Sequence, residues 1–447
     1  MAGARIGVVV DGLRAVLTRL AAAAPVRVFA LSGSNAQAIE NAMAGLLLEQ
    51  EIILTDSPCS ANILLAAGDF PVTLHEPARR IHDQLCHPRR TIRVRQGARD
   101  GADAIFPDAI SEYASSDLGE VLRRVHRDLL TGAERSEQAI LPDEEPAEWR
   151  GVGPYGQGGT GMTGGVPYGR PMAETAPDRD GLTLDQLSVR VGPFFPAFPT
   201  GLTLAVKLQG DVIQEVIVDE NPFALVRPDS HEDGDEPFIR ALAQPVLVSD
   251  LEMARARHHL HWLAIALQLH GLHAMALRSL AIARSLSPGA VEPIAKLKKV
   301  LSSTRSVLLA GGGVGITPID RVRDRALGPV ARAAGCHEDM RAEIPVYRGL
   351  GFETIVQPHG DARSRFWQRL DEAAQSLELA GRAGDATTGG DGRVEGPRGV
   401  IARDADPLPE LLGLLPELLP GLEWGDAVAT VVSLDLDLRG ARSHRAS

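Results

Sequence analysis

Apolar residues fall along this chain in two different rhythms. Over residues 1–140 short apolar runs alternate with segments of helical spacing. Arg5–Val10, Val26–Leu31, Ile52–Leu54 and Ile63–Ala67 are the strand candidates, and Asn35–Leu48, Glu76–Leu85 and Leu118–Leu130 the helices. Short apolar runs separated by helices predict a parallel sheet covered on both faces. Residues 141–181 interrupt the pattern with an acidic, Pro-containing stretch (Leu141–Glu148) and a Gly-rich run from Gly151 to Gly165, too dense in glycine for a regular element. From residue 182 the rhythm changes. Leu187–Val191, Leu202–Gln209 and Asp211–Val218 alternate in period two around Gln209-Gly210-Asp211, which predicts a β-hairpin. Helical spacing returns at Asp250–Ser285, Glu292–Leu301, Arg321–Ala326, Ser364–Leu379 and Leu408–Leu418. Gly381–Pro397, rich in Gly and Asp, is expected to be mobile, and Ala427–Leu434 to form a last strand.

Composition narrows the class. With 447 residues and 44% hydrophobic positions the chain has room for two or three ordinary cores. A formal charge of -12 argues against a nucleic-acid partner, because a phosphate-binding surface needs a basic footprint. Local basic positions (Arg89, Arg90, Arg93, Arg95, Arg99) suit a docking face on a protein as well as an anion site. No run of about 20 apolar residues occurs, so no membrane span is expected. The apolar run at Ile6–Val10 is followed by Asp11 and Arg14 and lacks the pattern of a signal peptide. Three cysteines, Cys59, Cys86 and Cys336, form no CxxC pair, which points to a cytoplasmic chain without a disulfide framework. Cys59 and Cys86 read as ordinary buried or half-buried thiols.

Several segments invite a chemical reading. The Gly-rich run could cradle a phosphate, but it has no GKS or GKT ending; a connecting or partner-inserted loop is the alternative. Gly311-Gly-Gly-Val-Gly315 lacks the acidic residue of a dinucleotide site and reads as a turn. His258, His259, His261, His270 and His273 crowd one helical region. The pairs His258/His261 and His270/His273 could share a helix face and hold a metal, but no matching carboxylate cluster is evident.

Five segments in order resemble the 49 kDa-type large subunit of respiratory complex I and of energy-converting [NiFe] hydrogenases. They are Gly192-Pro-Phe-Phe-Pro-Ala197 with the following hairpin; His259-Leu-His-Trp-Leu263; Gly328-Pro-Val-Ala-Arg-Ala-Ala-Gly335 with Met340-Arg341; Gly360-Asp361-Ala-Arg-Ser-Arg365; and Val394-Glu-Gly-Pro-Arg-Gly399 with Ser433-Leu-Asp435. The N-terminal part resembles the cluster-bearing 20 kDa-type small subunit through Ser57-Pro-Cys-Ser-Ala-Asn-Ile-Leu-Leu-Ala-Ala-Gly68 and His82-Asp-Gln-Leu85. The resemblance implies a flavodoxin-like α/β domain (residues 1–140), a Gly/Pro-rich connector (141–181) and an α+β large-subunit-like domain of β-hairpin and helical bundle (182–447).

Iron–sulfur clusters and [NiFe] centres are held by thiolates. At the small-subunit positions Asn35 and Ala38 replace the first cysteine pair, ahead of Glu40. The third position falls in Arg95–Asp100 and the fourth near Phe106-Pro107, both without cysteine. The large-subunit half has no CxxC pair, and Phe195 and Pro199 stand where complex I places quinone-side histidines. The stretch from Pro222 to Glu252 is too short for the helices that bear the family's quinone-side tyrosine. The expectation is therefore a chain without cofactors, its cluster and NiFe centre lost. His259, Arg332, Arg341, Asp361 and Arg365 match family positions and are the cleft candidates, the last four as a buried ion-pair network. The resemblance implies a scaffold or coupling subunit of a membrane-bound assembly, partnered by antiporter-like membrane subunits and peripheral on the inner face of the cell membrane. The rival is a redox subunit that binds quinone or another small molecule in a remodelled cleft.

Overall fold

The computed structural model describes residue 16 and residues 20–95, 105–113, 117–131, 174–177, 181–224, 236–304, 311–402 and 406–439. The expected strand at Arg5–Val10, the acidic break and the Gly-rich run lie outside the described residues.

The first region is a parallel sheet of β1 (Val26–Ser32), β2 (Ile52–Leu54), β3 (Ile63–Ala67), β4 (Arg90–Arg95) and β5 (Ile110–Tyr113), ordered β2-β1-β3-β4-β5. Between the strands run α1 (Gln37–Leu48) and α2 (His75–Asp83), and α3 (Leu118–Leu130) follows β5. Alternation along each strand divides the apolar side chains between two cores. Val28, Ile63, Leu65 and Ile92 meet Ile39 and Met43 of α1 and Val121, Leu122 and Val125 of α3. Phe29, Leu31, Leu64 and Ala66 face the other way, with Ala78 of α2, into a core that continues through Phe198 and Leu202 into the rest of the chain. The start of α3 is fixed by Asp117, whose carboxylate accepts from the Glu120 N–H at 3.0 Å.

The second region opens with an antiparallel meander, β6 (Glu174–Pro177), β7 (Thr183–Val191), β8 (Leu204–Gln209) and β9 (Val212–Val218). Gly210, at φ +63°, makes the predicted hairpin turn. Behind it lie α4 (Val248–Leu269), α5 (His273–Arg284), α6 (Glu292–Ser303), α7 (Ala362–Ala383), α8 (Leu408–Leu418) and α9 (Trp424–Leu434). The two longest, α4 and α7, lie along each other with α9 packed on both. Trp262 Nε1 donates to the Val432 carbonyl at 2.9 Å and pins α9 to α4. No described helix is long and apolar enough to cross a membrane.

Three expectations are corrected. Ala427–Leu434 belongs to a helix, not a strand. All eight residues are buried, and a continuous apolar run has no period to separate a buried helix from a buried strand. Arg321–Ala326 is helical only over Ile319–Val322, because Asp324 and Ala326 take left-handed φ of 59° and 56°. Gly381–Pro397 is not a mobile link. β11 (Thr387–Gly389) pairs with β10 (Pro245–Leu247), and β12 (Arg393–Glu395) pairs with β13 (Val400–Ala402). The glycines there serve the turns between these strands.

β3 ends at Gly68, φ +76°, where an added Cβ would fall 2.1 Å from the Ser34 carbonyl oxygen. Ser34 and Asp69 exchange backbone hydrogen bonds of 2.9 and 2.8 Å beside it, so neither loop can retreat without breaking that pair. Gly68→Ala is expected to destabilise the chain by about 2 kcal/mol, measured as a lower urea midpoint. An unchanged midpoint would show that the two loops are not held together.

Candidate functional site

Helix α4 turns Glu252, Arg255 and His259 to one side, and α7 answers with Arg365, Gln368, Arg369, Glu372 and Ser376. Spacings of three and four place each set on one helix face. All eight side chains are buried, so polar stripes meet where a helix pair ordinarily packs Leu on Leu. Burying charge is tolerated only where each group finds partners.

The partners come from four parts of the chain. Glu252 accepts from Tyr347 Oη at 2.7 Å, Ser376 Oγ at 2.7 Å, Arg341 Nη1 at 3.2 Å and Arg255 Nε at 3.2 Å. Arg341 also makes a two-point contact with Asp339 at 3.0 and 2.8 Å. Arg332 grips Glu372 through Nε at 2.7 Å and Nη2 at 3.0 Å, while its Nη1 reaches Glu395 at 2.9 Å and Asp339 at 3.0 Å. Arg255 donates to the carbonyls of Gly396 and Glu395 at 2.7 and 2.6 Å, drawing the β12–β13 hairpin onto α4.

Ionisation follows from these contacts. Burial would raise Glu372 and Glu252, but the facing arginines hold Glu372 well below the ordinary carboxylate range and Glu252 below its usual value. Asp339 is likewise brought down to about 2 by Arg332 and Arg341 against its burial. Glu395 goes the other way, raised by burial and by the charge of Asp339. Burial holds His259 down to about 4; its Nε2 lies 3.4 Å from Glu372, which pulls it up, and His258 and Arg369 push it down.

A second set ties down the C-terminal segment. Arg365 donates to Ser433 Oγ at 2.8 Å, Thr317 Oγ1 at 3.0 Å and the carbonyls of Gly360 and Gly315 at 2.6 and 2.9 Å. Its acceptors are neutral, and burial followed by the neighbouring Arg369 lowers it to about 9. Arg369 donates to the Ser433 carbonyl at 3.0 Å and lies over the Trp262 ring. Asp435 meets His258 Nε2 at 2.7 Å and Arg398 Nε at 3.5 Å. Asp437 pairs with Arg398 at 3.4 Å and Arg439 at 3.6 Å, and Arg439 reaches Glu40 of α1 at 2.6 Å. The ion pairs thus run from the helix pair to the first sheet region.

The sequence candidates divide accordingly. Arg332, Arg341 and His259 are in the central network. Asp361 and Arg365 are not, although a single network of the four was expected. Asp361 caps α7, accepting from Ser364 N–H at 2.7 Å, and fixes the Gly311–Gly315 turn through Gly313 N–H at 2.8 Å. The helix leaves its first N–H groups without acceptors, so an aspartate here caps it and does not seek a cation. The histidine pairs do not converge: His258 turns to Asp435, while His270 and His273 are exposed. Among the described residues no three His, Cys, Asp or Glu side chains are grouped to hold a metal ion. Arg93, expected on a basic face, is buried, donating to the Ala66 carbonyl at 2.9 Å and lying over Phe70. The sequence reading did not name Arg255, Asp339, Tyr347, Arg369 or Glu372 as site residues. Polar residues at helical spacing inside apolar helices were the available signal for those on α4 and α7.

The groups at the expected metal positions do not fit thiolate-held metals. Asn35 takes a left-handed φ of 58° next to Ser34, which is bonded to Asp69, and Ala38 lies in the first turn of α1. The third position lies outside the described residues beyond Arg95. At the C-terminal position Ser433 and Asp435 present oxygens already taken by Arg365, His258 and Arg398. Cys59 and Cys86 are exposed, contrary to expectation, because both lie in the loops that enter strands β3 and β4 at one end of the sheet; Cys336 is buried. At the hairpin mouth, Phe195 packs on Phe198 and Trp424 at 4.9 and 6.0 Å, and Phe194 on Phe70 at 6.0 Å. Aromatic rings therefore line the place of the quinone-side histidines.

Asp339→Asn should cost about 1.5–3 kcal/mol, since Arg341 loses its two-point anion and Arg332 one contact while Glu252, Glu372 and Glu395 remain. Glu292→Gln, in an exposed pair with Lys296, should stay within about 0.5 kcal/mol of the parent by the same denaturation measurement. Equal effects would remove the distinction between the network and the surface. His259 ionises near 6.5 when unfolded but near 4 when folded. Between those values the unfolded chain binds a proton that the folded chain refuses. Stability is therefore fully present above pH 6.5 and falls on acidification, by up to about 1.4 kcal/mol per unit. His261 is also held down to about 4 by burial, so His259→Gln should reduce, and not abolish, the fall of the urea midpoint between pH 6.5 and 5; an unchanged slope would remove His259 from the balance.

Residues 285–436 match the family described as respiratory-chain NADH dehydrogenase, 49 Kd subunit. A segment of 67 residues is 40% identical to the D-type subunit of NADH-quinone oxidoreductase from Desulfotalea psychrophila, covering 14% of this chain and 18% of that protein. Another of 85 residues is 33% identical to a D-type subunit of NADH-quinone oxidoreductase from Rhizobium meliloti, covering 18% and 21%. The matched stretches thus span about a fifth of the relatives' own length. The C-terminal region of this chain carries the 49 kDa-type domain and resembles the D-type subunit of NADH-quinone oxidoreductase.

Proposed function

We propose that this chain is a scaffold or coupling subunit of an assembly related to respiratory complex I, without metal centres of its own. The observation that carries this is the fate of the C-terminal segment. Where a hydrogenase-like large subunit would present thiolates, Ser433 and Asp435 are engaged by Arg365, His258 and Arg398. A guanidinium in that position fixes the backbone and supplies no soft ligand. The aromatic filling at Phe195 supports the same reading for the quinone side, because phenylalanine offers neither a proton nor a hydrogen bond.

The N-terminal region is read as a small-subunit-like partner domain (1–140), joined by the connector (141–181) to the large-subunit-like domain (182–447). Its strand order, 2-1-3-4-5, is that of flavodoxin-like sheets and supports this reading. The Arg439–Glu40 pair and the shared core at Phe70 and Phe198 fit two subunits fused in their docked arrangement. Antiporter-like membrane subunits are the partners this reading implies, with the chain peripheral on the inner face of the cell membrane.

Iron and nickel analysis of the purified chain, with EPR after reduction, tests the proposal. The expected result is no stoichiometric metal, together with co-purification of integral membrane proteins from detergent extracts. A stoichiometric cluster signal would overturn the scaffold role and favour the rival, a redox subunit with a remodelled quinone or small-molecule cleft. Recovery as a free chain would remove the membrane assembly.

A further inference from the structure

Cys59 lies in the short turn Pro58–Ser60 before β3, and Cys86 in the loop before β4. The two strands are parallel neighbours with Ile63 opposite Arg90, so their register sets the two entry loops side by side at one end of the sheet. Asn62 fastens the loops together. Its Nδ2 donates to the Pro88 and Cys86 carbonyls at 2.9 and 3.4 Å, and its own carbonyl accepts from Arg90 N–H at 2.9 Å. In that arrangement Cys86 Sγ comes within 3.6 Å of the Cys59 carbonyl oxygen. Both thiols are exposed, whereas Cys336 is buried.

We infer that Cys59 and Cys86 form a reversible thiol pair, closed to an intramolecular disulfide by a small-molecule disulfide such as oxidised glutathione. One cysteine thiolate attacks the small disulfide, forms a mixed disulfide and expels a first small thiolate. The second cysteine thiolate attacks the protein sulfur of that mixed disulfide, forms the Cys59–Cys86 bond and expels the second. Two protein thiols are oxidised, one small disulfide is reduced to two thiols, and the two protons pass to the departing thiolates. Closure requires Cβ atoms about 3.8 Å apart, and the contact of Cys86 Sγ with the Cys59 carbonyl, held by the Asn62 bridge, already brings one sulfur against the other residue. The bond would staple the two loops that enter β3 and β4, at the far end of the sheet from Gly68 and Phe70. Neither cysteine touches the ion network, so the inference stands apart from the proposed function.

The test uses the full chain equilibrated with oxidised or reduced glutathione, then alkylated and weighed intact. Oxidation is expected to give a single-chain species two hydrogens lighter, with two fewer alkylated thiols and a proteolytic fragment joining Cys59 to Cys86. Cys59→Ser and Cys86→Ser should each retain one glutathione on the remaining exposed thiol. Stable glutathione on both cysteines of the unsubstituted chain would overturn the inference, as would cross-links between chains in place of the internal one.

Discussion

The guanidinium of Arg332 is the group on which the second region depends. It is buried and contacts Asp339, Glu372 and Glu395, which stand on a loop, the long helix α7 and the β12 ribbon. Three pieces of chain far apart in sequence are thereby fixed around one planar fork of donors. An ammonium on a flexible stem could not grip Glu372 at two points and still reach Asp339 and Glu395 in a fixed plane. The cost of bringing such a charge out of water is several kcal/mol, so the arrangement survives only with all its partners in place. Apolar residues of similar volume could match its stability. They would not impose the register that aligns Glu252 and Arg255 of α4 with Glu372 and Ser376 of α7.

Charge balance within the network is uneven in a revealing way. Arg255, Arg332 and Arg341 face four carboxylates, Glu252, Asp339, Glu372 and Glu395. The surplus is relieved at Glu395, whose pKa is raised by burial and by Asp339, while Asp339 takes the benefit of both arginines. The C-terminal segment shows the opposite imbalance, since Arg365 is met by neutral oxygens and its pKa falls. Its nearest compensation is Asp361, whose carboxylate is committed to the N-terminus of α7 and to the glycine turn.

Much of the fold was legible from period alone. Strands at Val26, Ile52 and Ile63, the hairpin around Gly210 and the longer helices from Asp250 onward carry their patterns openly, unlike the short segment Arg321–Ala326. The failures share a cause. Ala427–Leu434 is apolar on every side, so burial erased the period that would have marked a helix. Gly381–Pro397 reads as mobile by composition because its order comes from distant partners, β10 for Thr387–Gly389 and Arg332 for Glu395. The site was half visible. Arg332, Arg341 and His259 could be picked out through resemblance, but Asp361 could not be separated from them without seeing that its carboxylate caps a helix. Tyr347 reaches Glu252 directly and Asp339 meets it only through Arg341, and no local pattern encodes either meeting.

A shared domain does not by itself carry a shared chemistry. The match over residues 285–436 takes in α7 and α9, and polar and charged side chains hold these helices to each other and to α4, which precedes the matched stretch. Function belongs to the groups a fold presents, and the groups here are guanidinium, carboxylate and aromatic ring. Guanidinium and carboxylate hold backbone segments in place over long spans of sequence, as the path from Arg369 through Asp435, Arg398, Asp437 and Arg439 to Glu40 illustrates. That path couples the position of the last residues to the first sheet region by successive ion pairs, some of them partly open to solvent. A device of this kind fixes one region of the chain against the other through a series of short charged contacts.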